Sequence, residues 1–350
     1  MARLRRVDCS SPGITRRKRG KGFEYIDGEI GERIDDPEDL ARIRSLGIPP
    51  AWKDVWICPF PMGHIQAVGT DAAGRKQYLY HSKWRERRDQ EKFEKMLEFA
   101  RALPDLRNRC AEDLLGDVLD RERVLACAVR LLDRGFFRIG MEEYTEKNQT
   151  YGLATMQKGH VTLDGNVITF DYRAKSGKRR VQSIVDPEVH EVVAALKRRR
   201  AGGLELLAYR SGRSWVDVKA VDVNEYIREH AGGDYSAKDF RTWNATVLAA
   251  VAVAVSGEAA KSPTARKRAI SRAVKEVSHY FGNTPAVCRA SYIDPRVFDR
   301  YQSGWTIAGA IDEFGATDEF GEPAFQGPIE EAVLDLIEDR RESEAVEKIA

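Results

Sequence analysis

Residues 64–100 read HIQAVGTDAAGRKQYLYHSKWRERRDQEKFEKMLEFA. Two periodicities meet in this stretch. Up to Tyr80 it reads as a hairpin: His64 to Val68, a glycine-bounded turn from Gly69 to Gly74, then Arg75-Lys76-Gln77-Tyr78-Leu79-Tyr80. After Trp84 the apolar residues Phe93, Met96, Leu97 and Ala100 fall on one helix face, and Pro104 is expected to stop that helix. The change of period predicts an α+β protein with a boundary near residue 85. A small β-rich N-terminal domain precedes it, and a mostly helical domain with a small sheet follows. Gly69 and Gly74 also have the glycine spacing of a phosphate-binding loop. Arg75-Lys76 stands where Lys-Ser/Thr is required, and no helix pattern follows, so a nucleotide site is rejected.

Upstream, residues 23–85 read as short strands and turns, with Asp54-Val55-Trp56-Ile57 strand-like. Residues 1–22 carry two basic clusters, Arg3-Arg5-Arg6 and Arg16-Arg17-Lys18-Arg19, without periodicity. They are expected to form a flexible basic arm, either touching nucleic acid or merely solvated. Downstream, Val118, Leu125, Ala128, Val129 and Leu132 share a helix face closed by Gly135. Residues 161–185 return to strand text, Asp186-Pro187 opens a helix, and further helices are expected at about 221–230, 244–256 and 264–281. The larger domain is expected over 86–310, with an acidic tail over 311–350 that holds a short helix from Ile329 to Asp339.

A chain of 350 residues with 32% charged and 42% hydrophobic residues belongs to the soluble globular class. The longest apolar run, Val247 to Val255, is far short of the roughly 20 residues of a membrane span. There is no signal-peptide pattern, and five cysteines without a Cys-x-x-Cys pair read as reduced thiols of a cytoplasmic protein. The net charge of +2 is unevenly distributed. Residues 311–350 hold thirteen Asp/Glu against Arg340, Arg341 and Lys348, a balance of −10; the rest holds 54 Lys/Arg against 42 Asp/Glu, or +12. A polyanionic partner fits this asymmetry, as does a solvated surface with a solubilising tail.

Five separated residues carry chemistry. Arg138 (in Phe-Phe-Arg-Ile-Gly) and Arg241 (in Lys-Asp-Phe-Arg-Thr-Trp) are guanidiniums in apolar surroundings. Such a group either forks onto phosphate oxygens or makes an internal salt bridge. Lys175 sits at a strand-turn-strand tip, where it could donate a proton to a leaving oxygen or be an ordinary solvated lysine; Lys178 competes for the role. Asn283 could donate an amide hydrogen to a phosphate oxygen or be a turn residue. Tyr292 is a possible nucleophile or a core tyrosine. The six histidines show no metal-ligand spacing, and no metal or other cofactor is expected.

In order and context these segments resemble the type IB DNA topoisomerases of the compact poxvirus and bacterial kind, over most of residues 20–305. The resemblance implies Arg138, Lys175, Arg241, Asn283 and Tyr292 as catalytic residues, and Arg75, Gln77, Tyr78, Tyr80 and Tyr144 as DNA contacts. The family often has histidine where Asn283 stands. It further implies a monomer that clamps double-stranded DNA and relaxes supercoils through a 3′-phosphotyrosyl intermediate, without ATP or metal. The acidic tail could then occupy the DNA cleft while DNA is absent. Two other readings remain. A tyrosine recombinase uses a related residue set, but usually with His-x-x-Arg where this chain has Lys238-x-x-Arg241. A non-catalytic DNA-binding protein would make Tyr292 incidental.

Overall fold

The computed structural model describes residues 3–256, 262–314 and 326–349. The chain divides into two compact units, Met1–Glu94 and Lys95–Ala350. In the first, strands β1 (Ile14–Arg19) and β2 (Gly22–Asp27) precede helix α1 (Pro37–Ser45) and strands β3 (Lys53–Ile57), β4 (Ile65–Thr70) and β5 (Lys76–Tyr80). They form one antiparallel sheet in the order β2-β1-β3-β4-β5. Its apolar face buries Ile14, Val55, Ile57 and Ala67 against Ile43 of α1.

The basic segment expected to be a loose arm is therefore corrected in part: Ile14–Arg19 is a strand paired on both sides. Its periodicity is hidden because arginine can occupy a half-buried position by laying its stem along the sheet. Arg16 does so, donating from Nη2 to the carbonyls of Pro49 (3.1 Å) and Trp52 (2.8 Å), while Arg17 and Lys18 stay exposed.

The division between units falls inside α2 (Ser82–Leu114), which runs on through Pro104. Proline costs a helix about 3 kcal/mol or more. Here Leu103, Leu106, Cys110 and Leu114 are all buried beside or beyond it, and that burial holds the helix together. The second unit continues with α3 (Arg121–Gly135), α4 (Glu142–Asn148), and an antiparallel sheet of β6 (Val161–Asp164), β7 (Val167–Arg173) and β8 (Arg179–Val185). Val118 lies outside α3 and is exposed, contrary to its expected place on that helix face.

Next come α5 (Pro187–Arg198), a hairpin of β9 (Ala208–Ser211) and β10 (Ser214–Asp217), α6 (Ala220–Ala231), α7 (Ala237–Val255) and α8 (Pro263–Phe281). The chain then forms α9 (Pro285–Ser291), α10 (Pro295–Gln302), β11 (Trp305–Thr306), α11 (Ala308–Phe314), α12 (Pro328–Ile337) and β12 (Glu347–Lys348). Helix α7 is the central one: Phe240, Trp243, Ala245, Val247 and Ala250 are at most 1% exposed. Among the described residues no helix is long and apolar enough to cross a membrane.

The described part of the acidic tail is packed rather than loose. Ile329, Ala332, Val333, Leu336 and Ile337 of α12 are buried, and α12 touches α7, α10 and α11. Its acids meet arginines of the same unit: Glu330 binds Arg107, Glu338 binds Arg101, and Asp339 lies 3.3 Å from Arg300. These three carboxylates are thus already matched within the fold, while Glu342, Glu344 and Glu347 stay exposed. Residues 315–325 lie outside the described residues.

Candidate active site

Arg138 follows the end of α3, where Phe136 takes the left-handed conformation (φ 53°) as the C-cap. The Arg138-Ile139-Gly140 segment is tied down by backbone bonds, Leu153 N–H to Arg138 O (2.8 Å) and Ala154 N–H to Ile139 O (2.7 Å). Glycine is required at 140: φ is +81°, and a Cβ there would lie 2.8 Å from the Gly152 Cα. Arg241 stands in the second turn of α7, inside the helix rather than ahead of it, and is only 5% exposed. Its Nη1 donates to the Phe136 carbonyl (2.7 Å) and its Nη2 to the Phe281 carbonyl (3.1 Å), while the buried Nε has no partner. The turn after α8 needs Gly282, with φ +61°, where a Cβ would lie 2.6 Å from Arg180 Nη1.

Asn283 is the next residue. Its Oδ1 accepts from Arg138 Nη2, which fixes the orientation of the amide and leaves the Nδ2 donor buried without a partner. Lys175 lies in the turn between β7 and β8 and is exposed; Ser176 and Gly177 both take positive φ to make that turn. Arg138, Lys175, Arg241 and Asn283 all line one open groove of about 600 Å³. Tyr292 is the C-cap of α9 and does not line the groove itself; its ring lies under the Arg241 guanidinium, 5.2 Å from Cζ to the ring centroid. The ring of Phe281 sits on the same guanidinium at 4.9 Å.

The electrostatics follow from the missing anion. Three other arginines of this unit meet carboxylates: Arg130 and Arg134 pair with the fully buried Asp186 (2.8 and 2.7 Å), and Arg123 with Glu191 (2.7 Å); the buried Arg199 instead donates to backbone carbonyls, among them Glu205 O (2.6 Å). Among the described residues neither Arg138 nor Arg241 makes an ion pair, so the internal salt bridge expected of an ordinary buried arginine is absent. Burial, and then the neighbouring Arg138, bring the Arg241 pKa down to about 10. Burial pushes the Tyr292 phenol up, but Arg241 and Arg138 outweigh it, and the net shift is downward. The arrangement favours anions in two places, at the Tyr292 oxygen and in the groove.

Sequence reading missed a third guanidinium. Arg180 on β8 lines the groove, donates from Nε to Gln182 Oε1 (2.7 Å), and from Nη2 to the Tyr280 carbonyl; Gln182 in turn donates to the Gly135 carbonyl. The signal was there: Arg180, Gln182 and Ile184 alternate inward, against exposed Arg179, Val181, Ser183 and Val185. Lys178, the competitor of Lys175, lines the same groove.

In the first unit, Tyr78 and Tyr80 are exposed on one face of β5, with ring centroids 6.0 Å apart and planes 18° apart. Gln77 points the other way, and it and Arg75 bind Asp71 (2.9 and 2.8 Å), whose carboxyl is held down to about 2, first by its bonds from Arg75. The side chain of Tyr144 lies outside the described residues; its backbone is in α4. Among the described residues no cluster of three or more His, Cys, Asp or Glu could hold a metal.

Residues 22–71 match the family model of the bacterial DNA topoisomerase IB N-terminal domain, and residues 81–308 that of the eukaryotic DNA topoisomerase I catalytic core. DNA topoisomerase 1B of Acanthamoeba polyphaga mimivirus is 31% identical over 299 residues, covering 83% of this chain and 88% of the relative. DNA topoisomerase 1 of Rabbit fibroma virus is 23% identical over 316 residues, covering 86% and 95%. DNA topoisomerase 1 beta of Arabidopsis thaliana is 25% identical over 264 residues, covering 67% of this chain but only 26% of that longer relative.

Proposed function

The chain belongs to the type IB DNA topoisomerases, which are isomerases, and we propose that it relaxes supercoiled duplex DNA with Tyr292 as the nucleophile. The supporting observation is the buried guanidinium of Arg241 and the half-buried one of Arg138, which lack carboxylate partners and sit beside a phenol whose pKa they lower. A buried cation without a counterion is costly, and a phosphodiester supplies the missing charge.

In this reading the scissile phosphate enters the groove with its non-bridging oxygens on Arg138, Arg241 and the unpartnered Nδ2 of Asn283. The Tyr292 oxygen, as phenolate, attacks phosphorus and forms the new P–O bond. The bond from phosphorus to the 5′ oxygen breaks with its electron pair, and Lys175 gives that oxygen a proton. The products are a 3′-phosphotyrosyl adduct and a 5′ hydroxyl. Rotation of the cut strand relaxes the duplex, and the hydroxyl then attacks the adduct to restore the original bond. One phosphoester replaces another at each step, so no ATP is consumed. The guanidiniums and Lys175 carry the charge stabilisation that a metal would otherwise supply. The stacked Tyr78 and Tyr80, with Lys76 beside them, are candidate contacts to the DNA.

The test is relaxation of supercoiled plasmid without ATP or divalent metal, together with trapping of a denaturant-resistant protein–DNA adduct. Tyr292→Phe removes one oxygen and is expected to abolish both relaxation and adduct while leaving DNA affinity nearly intact. Adduct formation by the Phe variant at the parental rate would remove Tyr292 as the nucleophile.

A further inference from the structure

We propose that the C-terminal segment around Glu330, beyond the part of the chain that matches the topoisomerase core, is a strut that positions Arg241. The inference rests on the reading above, in which Arg241 holds the scissile phosphate. Glu330, on the first turn of α12, is 8% exposed and has four donors aimed at it. Trp243 Nε1 donates to its Oε1 (2.7 Å), as does Arg107 Nη2 (2.9 Å). Arg107 Nη1 (2.5 Å) and the Gly327 N–H (3.2 Å) donate to its Oε2.

Trp243 is two residues beyond Arg241 on the same helix, so Glu330 grips α7 half a turn from the guanidinium. Through Arg107 the grip extends to α3. Arg107 Nε donates to Asp133 Oδ2 (2.8 Å) and its Nη2 to Asp133 Oδ1 (3.1 Å), and Gln326, also from the C-terminal segment, donates to Oδ2 (2.8 Å). Burial opposes the charge on Arg107, but Asp133 and Glu330 outweigh it and the pKa of the guanidinium rises.

Asp133 stands three residues before Phe136, whose carbonyl accepts from Arg241 Nη1. The Asp133 carbonyl itself accepts from Asn244 of α7 (2.8 Å), three residues after Arg241. Two of the three elements that fix Arg241, its own helix and the end of α3, are thus bolted together by a buried network; the third, the end of α8, supplies the Phe281 carbonyl. Two members of that network, Gln326 and Glu330, come from the acidic segment. Besides the rings of Phe281 and Tyr292 packed on it, the guanidinium is aimed by two carbonyl acceptors and no carboxylate, so its direction depends on how firmly those carbonyls are held. Glu330 and Trp243 touch neither the groove nor Tyr292 and are positioning residues.

The test uses Glu330→Ala and Trp243→Phe in the full chain. The second removes the indole N–H donor with part of the ring and leaves the Arg107 pairs in place; the small cavity it opens at this fully buried position slows both substrates alike. Single-turnover adduct formation is measured on a duplex with one mapped cleavage site, carrying either the ordinary phosphate or a neutral methylphosphonate there. A neutral centre has less charge for Arg241 to compensate, so a defect in Arg241 placement shrinks on it, whereas a general loss of folding slows both substrates alike. A misplacement near 1 Å costs up to roughly 100-fold in rate. Glu330→Ala is expected to be slowed about 10- to 100-fold and Trp243→Phe several-fold on the phosphate, each with a smaller defect on the methylphosphonate and with unchanged DNA affinity. Arg241→Ala is run in parallel. If it cleaves the ordinary phosphate normally, the underlying assignment of Arg241 falls. If it is defective and relieved by the neutral substrate, while Trp243→Phe is unaffected or equally slow on both, the strut is refuted. Should Glu330→Ala not fold, Trp243→Phe alone decides.

Discussion

Arg241→Met separates a functional arginine from a structural one. The side chain is 5% exposed and its pKa falls from the ordinary 12.5 to about 10. At about 1.4 kcal/mol per pKa unit, holding the charged form in that site destabilises the fold by roughly 3 kcal/mol. The sign is that of a cation whose folded pKa is depressed: the penalty is present at neutral pH and disappears only as pH rises past the folded pKa. Methionine fills similar volume and removes this penalty. It also strands the carbonyls of Phe136 and Phe281, each a loss of about 1–3 kcal/mol. The two effects largely offset, so the variant is expected between about 1 kcal/mol more and about 3 kcal/mol less stable than the parent by denaturant unfolding. Arg107→Met is the contrast. That guanidinium neutralises Asp133 and Glu330, and its loss leaves two buried carboxylates facing each other, with an expected cost of about 3–5 kcal/mol. Cleavage should respond in the opposite order for Arg241, falling at least about 100-fold despite the smaller loss of stability, as when a single preorganised donor is lost. Inorganic phosphate should also raise the melting temperature of the parent more than that of Arg241→Met. If Arg241→Met unfolds as readily as Arg107→Met, Arg241 is an ordinary structural arginine and the assignment fails.

Three further outcomes follow from the same geometry. Lys175→Ala should slow cleavage by roughly 10²–10⁴-fold on ordinary DNA, with most of the rate recovered when the leaving 5′ oxygen is replaced by sulfur; an equal defect on the sulfur substrate would move the acid role to Lys178. Arg138 and Arg241 lower the Tyr292 pKa against the effect of burial, so the fraction of phenolate climbs at lower pH than for an ordinary tyrosine. Removing Arg241 leaves burial less opposed, and the rising limb of the cleavage–pH profile should move to higher pH; a profile unmoved in Arg241→Ala would uncouple the two groups. Asn283→Asp exchanges the Nδ2 donor for an anion next to Arg138, and should cut cleavage by about 10²–10³-fold, the usual loss for one preorganised donor. Cleavage within about threefold of the parent would show that Nδ2 does not serve the phosphate.

The change of period near residue 85 was legible because a hairpin of two complete strands is followed by the helix-spaced apolar residues Phe93, Met96, Leu97 and Ala100. The helices of the second unit were legible where an N-cap stood before a proline, as at Asp186-Pro187, whose carboxylate accepts from Val189 N–H. The same pair of residue types starts α9 at Thr284-Pro285 and α10 at Asp294-Pro295, with the side chains capping Val287 and Arg296. Asn283 does lie in the turn between α8 and α9, but the Thr284-Pro285 start was not read as a helix, and the short helix capped by Tyr292 was missed. Two other misses have different causes. Ile14–Arg19 lacked an apolar pattern because half of its inward positions are filled by an arginine stem. Pro104 was given the weight it has in an isolated helix, whereas tertiary burial on both sides of it prevails.

The site residues themselves could be named from local sequence, but their roles depend on pairing, and pairing is non-local. Arg130 and Arg138 are eight residues apart and chemically identical. One meets a buried aspartate from the start of α5, and the other meets the amide of Asn283 beyond the end of α8 and the Tyr292 phenol. The acidic segment shows the same thing at larger scale. Its balance of −10 against +12 suggested two charged bodies able to attract each other or a shared ligand. In the folded chain Glu330, Glu338 and Asp339 are already matched to Arg107, Arg101 and Arg300. A carboxylate that neutralises Arg107 cannot also neutralise Arg241. By folding onto α7, the segment pairs with Arg101, Arg107 and Arg300 and leaves Arg138 and Arg241 beside Tyr292 without a counterion. The net charge of a segment reports none of this, because the deciding quantity is which cations remain unmatched after folding.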